Sequence, residues 1–71
     1  MCEVCEIKER CDKLSEEMSF RIIQYQAEIS SGRLEEAQIA IARTYELLEL
    51  VLTELAMIPE AIARVARSSF H

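Results

Sequence analysis

Along the first thirty residues, apolar side chains return every third or fourth position: Ile7, Cys11, Leu14, Met18, Ile22, Tyr25 and Ile29. Such a spacing lines one side of an α-helix. Its steps make an eleven-residue repeat, which a straight helix satisfies without supercoiling. The next segment carries a similar stripe, Leu34, Ala37, Ile41, Tyr45, Leu48, Leu52 and Leu55. Near the end, Ile58, Ile62 and Val65 share a face, with Ala61 and Phe70 beside it. No stretch alternates with period two for long, so the pattern predicts an all-α chain.

One Gly and one Pro punctuate this pattern. Gly32 is suited to a left-handed residue ending the first helix. Ser30 or Ser31 is available to cap the next, whose first turn holds Glu35 and Glu36 where the helix dipole favours anions. Pro59 suits the first turn of a third helix and biases Ile58 away from helical dihedrals. The predicted elements are helices over about 4–30, 33–57 and 59–69. The first two form an antiparallel hairpin joined by the tight Ser-Ser-Gly turn, within one small helical domain, 1–71.

The second helix ceases to be one-sided beyond Tyr45. Leu47, Leu50, Val51, Met57 and Ile58 point away from the stripe expected to face helix one, and a helix apolar nearly all round is buried all round. A short third helix, with Ile62 and Phe70, covers part of that surplus. On helix one, Phe20 lies opposite the stripe with Ile23 to one side. The expectation is a homodimer with a four-helix core. Its candidate partner or dimer interface is Phe20, Ile23, Leu47, Leu50, Val51, Met57, Ile58, Ile62 and Phe70.

Composition narrows the class. The chain is 51% hydrophobic and 30% charged, too apolar for a disordered tail. The net charge is −5, and only residues 59–71 are basic. Phosphate neutralisation dominates nucleic-acid affinity, so nucleic acid is not expected as a partner. The apolar run 47–58 is short and contains Glu49 and Glu54, so no membrane span is expected. The start is acidic without an apolar core, so no signal peptide is expected. These features predict a cytoplasmic protein. Along helix one, Glu6–Arg10, Glu9–Lys13 and Glu17–Arg21 have the spacing of stabilising i,i+4 pairs on a solvated face.

The densest candidate chemistry is MCEVCEIKERC, which holds Cys2, Cys5 and Cys11. On one straight helix Cys11 projects opposite Cys2, so the three thiols do not converge on one ion. Helical i,i+3 spacing is also poor for a Cys2–Cys5 disulfide. Glu3 and Glu6 raise rather than lower a nearby thiol pKa. The three are therefore read as structural or incidental thiols, with metal binding (zinc) or redox use of Cys2, Cys5 and Cys11 as the alternative. His71 is a terminal residue, and Arg64, Arg67 and His71 form an edge that favours the helix C-terminus. Tyr25 and Tyr45 suit core-edge positions with their hydroxyls in water. No nucleophilic triad and no glycine-rich phosphate loop is present, so neither an enzyme nor a cofactor is expected.

The segment GRLEEAQIAIARTYEL resembles the turn and second helix of a tetratricopeptide repeat, with Gly32 and Ala37 at the turn glycine and following alanine. The likeness covers about sixteen residues. Arg21, Gln24, Tyr25 and Glu28 stand where that family places large apolar or small residues, and no second copy follows. It supports the hairpin and carries no function. The two-helix acidic layout also resembles Rop-like plasmid RNA-binding dimers in architecture, without a shared residue motif. In kind, the chain is similar to small acidic helical accessory proteins of bacteriophages and mobile elements. The functional expectation is a non-enzymatic module that binds and masks a partner protein, as a regulator, inhibitor or anti-activator. The alternatives are a subunit or export chaperone completing its core with a specific partner, and a zinc-binding or Rop-like RNA-binding regulator.

Overall fold

In the computed structural model, which describes residues 2–69, three helices follow one another: α1 (Glu3–Ser30), α2 (Leu34–Ala56) and α3 (Ile58–Ser69). The boundaries fall within a residue or so of those expected. Cys2 caps α1 with extended dihedrals, φ −78° and ψ 155°, and its Sγ accepts a hydrogen bond from the Cys5 N–H at 3.2 Å. The far end of α1 closes as a Schellman turn. Gly32 takes φ +75°, its N–H donates to the Ile29 carbonyl at 3.1 Å, and the Arg33 N–H donates to the Glu28 carbonyl at 2.9 Å. The residue at the N-cap of α2 is Arg33, without a side-chain cap, so neither Ser30 nor Ser31 does the capping expected of them.

α1 runs antiparallel to α2 and α3 taken together. Three cross-helix ion pairs show the direction: Glu17 with Arg43, Arg10 with Glu54, and Glu3 with Arg64. α3 is less a third element laid over the hairpin than a bent continuation of α2. Pro59 has no N–H for the Leu55 carbonyl, and its ring crowds that carbonyl. The helix therefore breaks at Met57, whose N–H turns back to the Glu54 carbonyl at 3.1 Å, and resumes at once. Ile58 is helical, against the expectation drawn from the proline that follows it.

The buried track differs from both stripes read in the sequence. On α1, the residues turned to the partner helix are Val4, Ile7, Cys11, Leu14, Met18, Arg21, Tyr25 and Glu28; Ile7 is fully buried and the rest are half-buried. On α2 and α3 they are Ala37, Ala40, Thr44, Leu47, Val51, Glu54, Ile58 and Ala61. Both tracks step by three and four alternately, the 3.5-residue period two helices need to stay in register along a shared seam. The eleven-residue track drifts off that seam. Ile22 and Ile29 consequently stand exposed, and Arg21 and Glu28 take the inward places.

The larger correction concerns α2. Of the stripe expected to face helix one, Ala37 is buried and Ile41 half-buried, but Leu34, Tyr45, Leu48, Leu52 and Leu55 are exposed. Small residues let two helices approach closely, and Ala37, Ala40, Thr44 and Ala61 occupy the seam instead. The expectation that Leu47 and Val51 point away from helix one is reversed. Leu47 is 0% exposed and Val51 is buried, both beneath α1.

The molecule measures 60 × 16 × 11 Å with a radius of gyration of 16.8 Å. A compact chain of this length would have a radius near 11 Å. A rod one hairpin thick covers one side of each helix and leaves the others to solvent.

Candidate functional site

The described residues offer chemistry of two kinds, thiols at the start of α1 and apolar surface along the rod. The thiols are set by the helix terminus. Cys2 lies outside the helix proper, so the spacing of two helical residues does not govern the Cys2–Cys5 pair. The hydrogen bonds from Cys5 hold the Cys2 thiol below the ordinary thiol range, and the same contact pushes Cys5 up. For Cys2 this is opposite to the direction expected from Glu3 and Glu6, because hydrogen bonds from Cys5 reach its sulfur at the helix start; Cys5 is raised, with Cys2 as the cause. All three cysteines are free, with Cys11 half-buried in the seam. Among the described residues, no group of three or more His, Cys, Asp or Glu could hold a metal ion.

One long edge of the hairpin carries ion pairs, with Leu50 and Met57 exposed between Arg43 and Arg64 in the same seven-residue row. Every seventh residue of α1, Glu3, Arg10 and Glu17, pairs across to the other helix. Arg10 Nε donates to Glu54 at 3.0 Å, Arg43 donates to Glu17 at 3.2 Å, and Arg64 Nε donates to Glu3 at 2.8 Å. The last contact holds the Glu3 carboxyl below its usual range and raises Arg64. Arg10 and Glu17 thus reach across the hairpin instead of along α1. Beside this edge lies an open groove of about 360 Å³, lined in part by Arg21, Gln24, Arg43 and Glu46. Arg21 donates to the Gln24 side chain at 3.0 Å, while its buried Nε has no hydrogen-bond partner.

The opposite edge is apolar. Leu34, Ile41, Leu48, Leu55 and Ile62 again recur every seventh residue, straight through the break at Met57. Tyr45 and Leu52 lie between them, and Ile22 and Ile29 of α1 are also exposed. Leu34 is 62% exposed and Tyr45 65%. Tyr45 therefore presents its ring to solvent, and only Tyr25 keeps the core-edge place expected of both.

The residues proposed from sequence as an interface are dispersed. Phe20 and Ile23, 63% and 64% exposed, stand on the outer side of α1, with the Arg21 guanidinium 5.9 Å from the Phe20 ring centre. Leu50 and Met57 are exposed on α2 and at its end, and Ile62 is exposed on α3. Ile58 is half-buried, and Leu47 and Val51 belong to the intrachain seam. Phe70 and His71 lie outside the described residues. Sequence reasoning missed Leu34, Ile39, Tyr45, Leu48, Leu52 and Leu55 as surface. The available signal was a second track, one position earlier on α2, made of smaller residues.

No helix among the described residues is long and apolar enough to cross a membrane. Compared with protein-family models, curated proteins and solved structures, the chain matches none.

Proposed function

We propose that this protein is a non-enzymatic interaction module: a small acidic helical homodimer that binds a partner protein and masks its working surface. The observation that carries this reading is the amount of large apolar side chain outside the seam, on both faces of a rod with a net charge of −5. Monomeric soluble proteins rarely expose contiguous apolar patches beyond a few hundred Å², and larger ones mark interaction surfaces. A cytoplasmic site of action fits this reading.

Phe20 and Ile23 are the contact placed on the partner protein. They lie one turn apart on the outer side of α1, in a helix rich in carboxylates. Glu16 and Glu17, one turn before Phe20, make one side of this pair acidic, with Arg21 over the Phe20 ring, and such a patch suits a partner surface that is apolar with a basic side. A phenylalanine contacts such a surface with little side-chain entropy to lose, the usual property of an anchor residue. The test is capture from the native host by the full chain and by Phe20→Glu and Leu50→Glu variants. Capture lost in Phe20→Glu, with helicity and mass unchanged, supports the assignment. Capture retained by both folded variants refutes this placement of the contact.

A further inference from the structure

We infer that the apolar edge formed by α2 and α3 is covered by a second copy of this chain, the two copies lying antiparallel about a two-fold axis near Leu48 and Leu52. This rests on the homodimer reading above and assigns its face and direction.

The first argument is periodicity. Leu34, Ile41, Leu48, Leu55 and Ile62 keep a seven-residue repeat, and the intervening track, Gln38, Tyr45, Leu52, Pro59 and Ala66, keeps the same one. None of the ten positions is charged in a chain that is 30% charged. A seven-residue repeat is the pattern one helix presents to another, and from Leu34 to Ile62 it extends roughly 40 Å at 1.5 Å per residue. The occupant must be a helical rod of similar length, and the chain is itself such a rod.

The second argument is angular. This track sits one residue further along the helix than the intrachain seam of Ala37, Ala40, Thr44, Leu47, Val51, Glu54, Ile58 and Ala61. One residue is about 100° of rotation, close to the right angle between the two neighbours of each helix in a square four-helix bundle. One neighbour is α1. The second place is vacant in the single hairpin, and a second hairpin is the simplest body that fills it for both copies at once.

The third argument is area. A folded chain of 8.2 kDa is expected to expose about 4,500 Å², whereas this one exposes 5388 Å². The excess is close to the roughly 800 Å² that each partner contributes to an interface of ordinary size.

Charge sets the direction. The start of α2 carries Glu35 and Glu36, and the later turns of α3 carry Arg67, Arg64 being held by Glu3 on the opposite edge. An antiparallel arrangement brings the acidic end of one copy to the basic end of the other, with the helix dipoles opposed. A parallel arrangement stacks like ends together. In either copy the outer side of α1, with Phe20 and Ile23, remains outside the interface and open to a different protein.

Sedimentation equilibrium of the full chain in the micromolar range should return twice 8.2 kDa. Leu48→Glu and Leu52→Glu should each move the monomer–dimer midpoint to higher concentration by roughly a hundredfold or more, because a buried unpaired carboxylate costs several kcal/mol. Ile23→Glu should leave the mass unchanged. Leu55→Gln, a milder change on the same face, should show the same shift in reduced form if a glutamate variant loses its helicity. A single-chain mass for the native protein overturns both this inference and the homodimer reading. A dimer indifferent to Leu48→Glu, Leu52→Glu and Leu55→Gln overturns the assigned face and leaves the homodimer reading intact. Direction is read by spin labels at Glu35→Cys in a chain also carrying Cys2→Ser, Cys5→Ser and Cys11→Ser. Labels roughly 45 Å apart, from 1.5 Å per residue over about 30 residues, support the antiparallel arrangement. A separation under half that value overturns it.

Discussion

The two long edges of this hairpin are built on the same seven-residue repeat and carry opposite chemistry. One is joined by Glu3–Arg64, Arg10–Glu54 and Glu17–Arg43, pairs made within the chain and left in contact with water. The other presents Leu34, Tyr45, Leu48, Leu52 and Leu55 with nothing over them. An exposed ion pair satisfies its groups locally and adds little stability, so these pairs make no demand on a partner, although Leu50 and Met57 stand exposed between two of them. Exposed leucines gain nothing until another apolar surface arrives. A seven-residue repeat thus names a helix–helix track without naming the helix that occupies it.

Substitutions one residue apart sharpen this contrast most. Leu47 is fully buried beneath α1, whereas Leu48 is exposed on the apolar edge. Leu47→Ala should destabilise the chain by about 2–4 kcal/mol at every protein concentration, a large part of the total for a domain of this size. Leu48→Ala should lower the thermal midpoint only at concentrations where the native chain associates. The readout is a pair of melts, followed by circular dichroism, across a dilution series. Equal losses at high dilution would place both leucines in the same intrachain core and dissolve the distinction between the two tracks.

A smaller effect is expected at the turn that sets the register of both edges. A Cβ on Gly32 would meet no atom within 4 Å, but its φ is +75°. Gly32→Ala should therefore cost about 1 kcal/mol through backbone conformation alone, measured as a shift in urea midpoint without a change in slope. A steeper loss would mean that the turn also makes packing contacts.

The smallest effect belongs to the polar edge. Arg64 holds the Glu3 carboxyl below its ordinary range, so Glu3 contributes stability above the usual carboxylate pKa. That contribution fades as pH falls through the lowered value. Glu3→Gln should remove this part of the acid dependence, seen as faster amide exchange in α3 at neutral pH and little difference from the native chain in strong acid. An unchanged pH profile would show the pair to be without effect on the docking of α3.

Much of the architecture was legible because it depends on local chemistry. A single glycine with a left-handed φ, a proline near the start of the third segment and unbroken helix formers elsewhere determine three helices and one reversal, whatever packs on them. Phe20 and Ile23 were also readable as outward, since they lie off any track that the rest of α1 supports. The inward face of α2 was not readable. Two tracks one residue apart, Ile41–Tyr45–Leu48–Leu52 and Ala40–Thr44–Leu47–Val51, compete for α1, and size favours the first. The same bias exchanged Ile22 and Ile29 for Arg21 and Glu28 on α1.

The helices, the turn at Gly32 and the excess of apolar surface over what one hairpin can cover each follow from residues near one another along the chain. Which face of α2 meets α1, that α3 continues α2 instead of covering it, and that most large side chains of α2 face outward emerge only when the helices pack together. Those outcomes depend on how closely two helix axes approach and on the 3.5-residue period that a shared seam imposes on both, and neither is a property of one helix alone.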